Sequence, residues 1–566
     1  MLVAHTNDGE AGTDGRLVKV PAADYPSGTQ RPVFFTGEEY PRYVGTARGA
    51  VAPYAARKDL NQTDFEPIGN IPQVAHTYAY LEETYGALNE HQLGIAESTC
   101  SGVFGALPLG VPNGTALLSV DVLTQIAMER ATKSRDAVAM MGALAEQHGF
   151  YGAGSFEGTA ESLLVSDPAE AWIFHILPDP TGTSAIWAAQ RVPDDHIAVV
   201  ANAFIIREVN TSDSANFLAS ASAFSVAQEK GWWDAASGDL LDFAGVYSDG
   251  EYAHKYYSGR RMWGAYRLLA ASTALPPEYD EYLASRPYPV TLKPDRKLAL
   301  ADVTAMLRDH YEGTAYDMTQ GLAAGPFGSP NRFAAGAGEA QVAGNWERSI
   351  SLYRTTDSYV AVSRASAPGA TGGVLWFAPG AAHGTVYVPL SPHMSAVPAA
   401  YSHGNPLEFD RATATWATRT VSNIMDLKWS YAVKDVAAAQ DALETVAGGA
   451  AVAAVESECG KITKAAALAD CMDGIYGEHA GKSVASWWAL ADLLMYRYSD
   501  GWVNQLPASA DPTGYPAWWL KAVGYAQGPP PVPPTPSKSV SAAASQPAAA
   551  VPQQASVRRA GAVASF

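Results

Sequence analysis

The order of apolar and polar residues at the start of the chain predicts a short core strand. Met1, Leu2, Val3 and Ala4 are apolar, and the next four residues, His5-Thr6-Asn7-Asp8, are polar or ionisable. A strand that ends in such side chains can present a site at its end. The alternative is a strand followed by an ordinary turn, because Asn-Asp-Gly-Glu is a sequence typical of turns.

A second polar strand end is predicted further along the chain. Residues 74–81 alternate like a strand, and a turn separates them from the apolar strand 93–96. The two strands are therefore predicted to form a hairpin. The small polar residues that follow, Glu97, Ser98 and Thr99, lie where a strand end could again present a site.

The next part of the chain predicts two helices and then a sheet. Apolar residues recur at helical spacing from Ser119 to His148, which favours a pair of helices. Four short strands with Asp-Pro and Pro-Asp turns follow and indicate an antiparallel sheet. These strands cover residues 161–165, 171–175, 184–188 and 196–200. Two helices followed by a meander are typical of a layered α+β fold.

The rest of the chain predicts further helices and strands, followed by a segment of different composition. Helical spacing recurs at 256–271 and 300–309, strands resume between 349 and 389, and residues 430–500 are Ala-rich and mostly helical in period. After Tyr525 the chain is rich in Pro, Ser, Ala and Gln, a composition that predicts disorder because it cannot bury a core. No apolar run is long enough to predict a membrane-spanning helix.

Composition and charge limit the partners. The 566 residues are 48% hydrophobic and 17% charged, as in folded proteins, and the formal net charge is -19. This charge argues against nucleic acid as the main partner, because phosphate binding needs clustered Lys and Arg. The three cysteines, Cys100, Cys459 and Cys471, do not make a zinc site or a disulfide-rich scaffold. Cys459 and Cys471 lie close enough in sequence to pair if the protein is secreted.

Searches for common catalytic motifs give no match. Residues 477–483 are one residue short of a phosphate-binding loop and lack the strand that should precede it. A zinc-protease helix is absent, and no nucleophile elbow surrounds Ser155. Cys100 is a candidate nucleophile with His91 or His76 as its base, but a buried structural cysteine is the commoner alternative.

Several segments together resemble one family, the dipeptidases among the N-terminal-nucleophile cysteine hydrolases. This group includes dipeptidase A-type enzymes and the secernins. The segments follow the family's order from Met1 to about Pro530. They are His5-Thr6-Asn7-Asp8, Leu88-Asn89-Glu90-His91 with Ile95-Ala96-Glu97-Ser98, Val192-Pro193-Asp194-Asp195-His196, Val200-Ala201-Asn202-Ala203-Phe204, Leu307-Arg308-Asp309-His310-Tyr311-Glu312-Gly313, Gly325-Pro326-Phe327-Gly328 and Gly372-Gly373-Val374-Leu375-Trp376-Phe377.

The resemblance implies a fold and a mechanism. The fold is α+β, a four-layered αββα sandwich of two antiparallel sheets flanked by helices. We expect this hydrolase domain at residues 1–430, a helical C-terminal extension at 431–527 and a disordered tail at 528–566. In the family the nucleophile is the thiol of an N-terminal cysteine, and its own amino group, with a pKa of about 8, can act as the base. Dipeptides are cleaved through an acyl-enzyme.

The chain departs from the family at its start. The family's nucleophilic cysteine lies on the strand before the one that ends in His-x-Asn-Asp, and here Met1 already belongs to that second strand. None of Cys100, Cys459 and Cys471 replaces it. We expect the sequence to be truncated at its N-terminus, which would also remove any signal peptide. The alternative is a genuine short product that is inactive by this mechanism.

The resemblance assigns roles to four candidate residues. In the wider group an Arg-x-x-Asp pair holds the nucleophile, and His5 and Asp8 have that spacing. Asp8 is therefore expected to orient the amine and the thiol, with His5 beside the substrate. Asn202 matches the asparagine that donates to the oxyanion, a strand-end turn being the alternative. Arg261, rather than Arg260, matches an arginine that lowers the pKa of the thiol, and an arginine on the helix surface is the alternative.

The other candidate residues line the site or support it. Glu97, Ser98 and Thr99 are expected to bind substrate, with Glu97 pairing with the free ammonium group. The run 308–310, Arg-Asp-His, is expected to form a supporting network of ionisable groups at a helix end.

The sequence thus predicts a cysteine-type dipeptidase that acts on short peptides and needs no metal or organic cofactor. It predicts no nucleic-acid partner and no membrane span, and it leaves a homo-oligomer open. The compartment is secretory or lysosome-like if a signal peptide precedes Met1, and otherwise cytoplasmic. Two alternatives are an amidase of the same fold that acts on another short amide, and a catalytically inactive, secernin-like binding or trafficking protein.

Overall fold

The protein is described by a computed structural model that covers residues 1–9, 12–35, 67–152, 159–249, 257–277, 288–333, 346–367, 369–404, 406–505 and 509–528. These residues form a mixed α/β protein with antiparallel sheets and a helical C-terminal region. The described residues up to Pro516 form one compact unit, and the described residues from Ala517 onward belong to a second one. The predicted Pro-rich tail lies outside the described residues from 529 onward.

The described strands are short, and every pair of them is antiparallel. They are β1 (Leu2–Asp8), β2 (Val18–Val20), β3 (Ala23–Asp24), β4 (Gln30–Val33), β5 (Gly69–Pro72), β6 (His76–Thr77), β7 (Tyr80–Glu82), β8 (Gly86–Asn89), β9 (Gly94–Cys100), β10 (Ala160–Ser166), β11 (Ala171–Pro178), β12 (Ala185–Val192), β13 (Glu208–Val209), β14 (Phe217–Ala219), β15 (Leu241–Asp242), β16 (Thr355–Val362), β17 (Val374–Pro379), β18 (Val388–Leu390), β19 (Trp502–Gln505) and β20 (Ser509–Pro512).

Two sheets carry most of these strands. The larger has eight strands in the order β14-β12-β11-β10-β9-β8-β7-β2, and the smaller has four in the order β1-β16-β17-β18. The predicted hairpin is wrong in its first strand. The predicted strand 93–96 lies in β9, but β9 pairs with β8, which occupies residues predicted to be the turn, and the predicted strand 74–81 corresponds to β6 and β7, of which β7 pairs with the other side of β8. The first predicted strand is β1, and within the described residues it pairs only with β16 and forms one edge of the small sheet. A register shift at Asn7/Asp8 marks the end of this pairing.

One face of each main sheet contributes to a shared core. Val3 and Tyr359 from the small sheet pack in one cluster with Leu88 from the large sheet. The Tyr359 hydroxyl donates to the carbonyl oxygen of Ile95, which ties the two sheets together. Gly94 permits their close approach, since a Cβ there would lie 3.0 Å from Cγ1 of Val3. These contacts fix β1 against β9, so their polar ends lie side by side.

The described residues also form α-helices, several of which belong to the C-terminal region. The α-helices are α1 (Val120–Arg130), α2 (Ser134–His148), α3 (Ala221–Glu229), α4 (Phe243–Tyr247), α5 (Ser258–Leu269), α6 (Leu300–Leu307), α7 (Ala399–Ser402), α8 (Ala414–Leu427), α9 (Trp429–Asp441), α10 (Gly449–Ala454), α11 (Ala465–Arg497) and α12 (Ala517–Ala522). None of the described helices combines the length and apolar character that a membrane crossing requires.

The alternation of apolar residues along β10 explains why helices cover one side of the large sheet. Leu163 and Val165 point to the core formed with α1 and α2, whereas Leu164 between them points to the opposite face. Phe174 from β11 is fully buried in the same core as Leu163. Burial of a side chain of this kind stabilises the fold by about 1.5–3 kcal/mol.

Two predicted strands, 196–200 and 349–353, are wrong. Residues 196–200 do not join the meander, and Ile197 makes only an isolated bridge with Leu292. The outer edge of β12, which this strand would have to occupy, is already paired with β14. Residues 349–353 also lie outside a strand, because β16 begins at Thr355. Both segments instead contribute to the site described below.

The C-terminal region contains a disulfide. Cys459 and Cys471 are bonded, with their Cα atoms 5.8 Å apart. The bond joins the end of a π-helical segment, Val455–Cys459, to the first turns of the long helix α11. Cys459 is fully buried in the core that also holds β1 and β17. The pairing of Cys459 with Cys471, which the sequence left open, is therefore present in the structure.

Removing this disulfide is expected to lower the free energy of unfolding by about 2–4 kcal/mol, because the bond closes a loop in the unfolded chain. The measurement is urea denaturation of the Cys459→Ser, Cys471→Ser double variant beside the wild type. Reduction of the wild type with dithiothreitol serves as the control and should cause the same loss. An oxidised protein whose intact mass shows three free thiols would contradict the pairing.

Candidate active site

A cavity of about 1300 Å³ runs along β1. All residues from Met1 to Asp8 line it, including those whose side chains point to opposite faces of the sheet. The cavity therefore follows the edge of the strand. Its other walls come from β10, the segment 192–202 and α6. At the Asp8 end it is lined by polar and charged residues, which are His5, Asn7, Asp8, Glu97, Ser98, Thr99, Asn202, Tyr257, Arg261, Arg348 and Arg354.

Asp8 is held by hydrogen bonds from three directions. Its Oδ2 accepts a 2.5 Å hydrogen bond from Arg348, and its Oδ1 accepts one from the Thr355 hydroxyl. Arg354 donates to the backbone oxygens of Asp8, at 2.9 Å, and Gly9. Burial alone would raise the pKa of Asp8, but the two arginines and Thr355 hold it below its ordinary value. The site thus contains a fixed, ionised carboxylate at the end of β1.

His5 lies between two carboxylates. Its Nδ1 is 3.6 Å from Glu83, its Nε2 is 3.5 Å from Glu97, and all three side chains are buried. Burial would lower the pKa of His5, but the negative charges of Glu83 and Glu97 beside it raise the pKa to about 10. His5 is therefore an imidazolium at neutral pH. Its charge offsets part of the negative charge of the two glutamates.

Asn202 has a left-handed backbone, with φ at 54°. Its backbone N–H donates to the Ser98 hydroxyl at 2.8 Å, and its Nδ2 donates to the backbone oxygen of Thr99 at 2.6 Å. Its Oδ1 accepts from Arg261 at 2.7 Å. Thr99 in turn donates from its hydroxyl to Glu97. The expected candidates Asn202, Ser98, Thr99, Glu97 and Arg261 therefore share one network.

Arg261 reaches this network from the second turn of α5. Its Nε donates to the Tyr257 carbonyl oxygen, and its guanidinium lies 4.7 Å from the centre of the Tyr257 ring. Burial and the nearby charge of Arg348 lower the pKa of Arg261 to about 10. Arg260 points elsewhere and pairs with Glu347. Arg261 therefore lies on the side of α5 that faces the cavity, and Arg260 does not. The family resemblance had favoured Arg261 over Arg260 as the site residue.

Cys100 has the environment of a structural thiol. It is 1% exposed and does not line the cavity. Burial raises the pKa of its thiol, which is the opposite of what an activated nucleophile needs. Its sulfur contacts the Ser162 hydroxyl, which also contacts Nδ1 of His175. His175 accepts the backbone N–H groups of residues 205 and 206 at Nε2, so this buried chain supports the segment that follows Asn202.

The three residues of the run 308–310 each pair with a different residue, and His310 pairs with Glu312. Arg308 pairs with Glu444 and Asp309 with Arg267. Tyr311 is fully buried with a left-handed backbone, φ at 65°, and its hydroxyl donates to the carbonyl oxygen of Arg348. Positive φ is unfavourable for a bulky residue and persists where surrounding contacts impose it.

Tyr311 packs directly against α5. A Cβ at Gly264 would lie 2.6 Å from Cε1 of Tyr311, so glycine is required for this contact. The tyrosine therefore links the helix that carries Arg261 to the backbone of Arg348, the partner of Asp8.

Metal ligands do not cluster in the described part of the chain. No group of three or more His, Cys, Asp or Glu side chains there is placed to hold a metal ion. The acidic and imidazole groups of the cavity are instead engaged with each other and with arginines.

The model of peptidase family C69 matches residues 69–442. The chain belongs to peptidase family C69. This match covers more than half of the sequence, and it confirms the family that the segments from His5 to Phe377 resemble.

The curated proteins that resemble this C69 member, at low sequence identity, are named dipeptidases. A probable dipeptidase of Salmonella dublin is 28% identical over 331 residues, which cover 56% of this chain and 67% of the relative. A probable dipeptidase of Latilactobacillus sakei is 27% identical over 46% of this chain and 47% of its own length. A dipeptidase of Bifidobacterium longum is 25% identical over 56% of this chain and 55% of its own length. The chain thus spans about half to two thirds of these relatives.

Sequence reasoning missed three charged residues of the C69 site. Arg348 and Arg354 flank the irregular stretch before β16, and Glu83 lies in the turn after β7. No motif or periodicity surrounds them. The only sequence signal for the two arginines was the group of acidic residues near the ends of β1 and β9. Buried carboxylates need cationic partners, so arginines or lysines were to be expected somewhere in the chain.

Proposed function

We propose that this protein is a dipeptidase of the cysteine type that cleaves dipeptides through an acyl-enzyme. The observation that carries the proposal is the convergence of Asp8, Asn202 and Arg261 at one end of a cavity in a C69 peptidase. The dipeptidase names of its relatives support the choice of substrate.

The nucleophile in this proposal is the thiol of a cysteine on a strand that precedes β1 and pairs with its free edge. The cavity along that edge supports this placement. A strand joined to β1 by a hairpin would run antiparallel to it, so its first residue would lie beside Asp8. At about 3.4 Å per residue, a strand of about seven residues reaches that point.

The proposed roles follow from the contacts at the Asp8 end. Asp8 accepts hydrogen bonds and would hold the amino group of the nucleophilic cysteine, which acts as the base. The sulfur attacks the peptide carbonyl carbon, the C–N bond breaks, and the amine leaves with the proton taken from the thiol. Water then cleaves the thioester and regenerates the thiol.

Asn202 is proposed to stabilise the oxyanion. Its Nδ2 carries two N–H groups, and only one is needed for the bond to Thr99. Arg261 holds the amide by its oxygen, so the second N–H has a fixed direction. The charge of Arg261 also favours a thiolate nearby. A donor of this kind contributes about 3–4 kcal/mol of transition-state stabilisation.

The fold proposed for the enzyme is the four-layered αββα sandwich, with the hydrolase domain at 1–430 and the helical extension at 431–527. The shared core of the two sheets supports the two inner layers. The packing of α1 and α2 on the large sheet and of α6 on the small sheet supports the outer ones.

The proposal is tested by determining the 5′ end of the transcript and assaying the protein expressed from it on dipeptides and N-acyl amides. We expect dipeptide hydrolysis that is lost when the upstream cysteine is replaced by alanine. Cys100→Ala is the matched control and should keep the activity. Cleavage of the acyl amides alone would indicate the amidase. An inert protein without an upstream cysteine would refute the peptidase.

A further inference from the structure

Asn202 lies in a buried segment that has no regular structure. Residues 203–207, between Asn202 and β13, form neither a helix nor a strand. Four of them, 203–206, belong to the core cluster that also holds Ile173 of β11. Such a backbone lacks the ladder of hydrogen bonds that fixes a strand, so its buried N–H groups need acceptors from side chains or from other segments. The position of Asn202 therefore depends on those acceptors.

His175 of β11 provides such an acceptor. Its Nε2 accepts the backbone N–H groups of Ile205 and Ile206, with N–N distances of 2.9 Å and 3.2 Å. Its ring also packs against the ring of Phe204, with the two centroids 4.8 Å apart. The side chain is fully buried. Three consecutive residues, of which the first follows Asn202 by two positions, thus contact this one histidine.

The contacts of His175 fix its tautomer. Because Nε2 accepts N–H groups, it carries no proton. Burial lowers the pKa of His175 to about 3, so the ring is neutral at neutral pH and its one proton is on Nδ1. Nδ1 therefore donates to the Ser162 hydroxyl at 2.7 Å. The Cys100 thiol donates to the carbonyl oxygen of Ser98, so Ser162 donates its own proton to the sulfur at 3.1 Å.

The same hydrogen-bond chain reaches the strand end that holds Asn202. It ends at the backbone of Ser98, whose hydroxyl accepts the Asn202 backbone N–H. The carbonyl oxygen of Thr99 accepts a hydrogen bond from Nδ2 of the asparagine. Ser98, Ser162 and His175 lie opposite one another on β9, β10 and β11. His175 thus connects the segment after Asn202 with the sheet that receives the Asn202 side chain.

We propose that His175 is a positioning residue that fixes the direction in which Asn202 presents its second N–H to the oxyanion. This proposal rests on the proposed function, in which Asn202 is the donor. His175 lies outside the lining of the cavity, so it acts through the backbone of residues 202–206. An error of about 1 Å in the position of a group that stabilises a transition state can slow the reaction about 100-fold. The acceptor at Nε2 is therefore needed for turnover and not for substrate binding.

The test compares His175→Asn with His175→Gln in the active, full-length protein. Asparagine is too short to reach the N–H groups of residues 205 and 206 but can still donate to Ser162, whereas glutamine can place its oxygen near the position of Nε2. We expect His175→Asn to lower kcat for alanyl-alanine by about 100-fold with little change in KM, and His175→Gln to restore most of kcat. His479→Asn is the matched control and should keep kcat, because His479 is also buried but lies on α11, outside the cavity lining.

A double variant separates positioning from a purely structural role. In an Asn202→Ala background, His175→Asn should cause little further loss of kcat, because its effect runs through Asn202. The proposal is refuted if the two losses multiply, or if His175→Asn and His175→Gln have the same kcat. His175→Leu suits the apolar surroundings but has no acceptor. It should behave like His175→Asn and replaces it if that variant does not fold.

The role of His175 can also be tested without enzymatic activity. If the full-length wild type hydrolyses no dipeptide, the proposed function fails, and crystal structures of the same variants of this chain decide about His175. Asn202 displaced from Thr99 in His175→Asn, and in place in His175→Gln, supports the positioning role. Asn202 in place in both variants refutes it.

Discussion

Replacing Asp8 with asparagine is expected to lower the free energy of unfolding by about 3–5 kcal/mol, because it breaks a buried ion pair and leaves the other charge behind. The Asp8 and Arg348 side chains are only 12% and 10% exposed, and they meet at 2.5 Å. The variant would keep the shape of the side chain. It would leave Arg261, Arg348 and Arg354 without the carboxylate that now compensates one of them.

The measurement is urea denaturation at neutral pH. Asp194→Asn is the matched control, because Asp194 is 72% exposed and pairs with Arg191 at the surface, so it should change stability by less than about 0.5 kcal/mol. Adding Arg348→Gln to Asp8→Asn should restore part of the loss, since the orphaned charge is removed. Equal, small effects of Asp8→Asn and Asp194→Asn would show that the pair is not buried in solution.

Stability is expected to fall between about pH 6.5 and pH 10 through His5. The pKa of His5 is raised to about 10 in the folded protein, above its ordinary value of 6.5. A raised pKa means that the folded state binds the proton more tightly, so the stabilisation is complete below pH 6.5 and is lost as the pH approaches 10. Within this window the loss from this one group is about 1.4 kcal/mol per pH unit.

Two measurements check this. In urea denaturation from pH 6 to pH 9, the wild type should lose stability more steeply than His5→Gln, whereas His76→Gln, with a half-exposed ring, should follow the wild type. By nuclear magnetic resonance, the His5 ring should titrate near pH 10. A His5 ring that titrates below pH 7 would mean that Glu83 and Glu97 do not hold its proton.

The sequence was sufficient to predict the parts of the site that depend on strand ends. An apolar strand that ends in His5 and Asp8, and a second apolar strand that ends in Glu97, Ser98 and Thr99, are local patterns. The structure brings both to one end of one cavity. Asn202 and Arg261 required the family resemblance, because Val-Ala-Asn and a helical Arg-Arg pair are common elsewhere.

What could not be predicted depends on long-range pairing. Arg348 meets Asp8 across 340 positions of sequence, from a stretch without regular structure. The apolar segment 196–200 has the composition of a strand, but β14 already occupies the edge of β12 that it would need. The same segment became a wall of the cavity instead. The local sequence pattern shows that a segment favours a strand. It does not show whether another strand already occupies the sheet edge that the segment would need.

The contact between Gly264 and Tyr311 also limits how this protein can diverge. A side chain at 264 collides with the tyrosine ring, and the ring is held by its strained backbone and by its bond to Arg348. A change at either position alone disturbs the anchor of Asp8, far along the chain. We therefore expect a larger residue at position 264 to be accommodated only together with a smaller side chain at position 311.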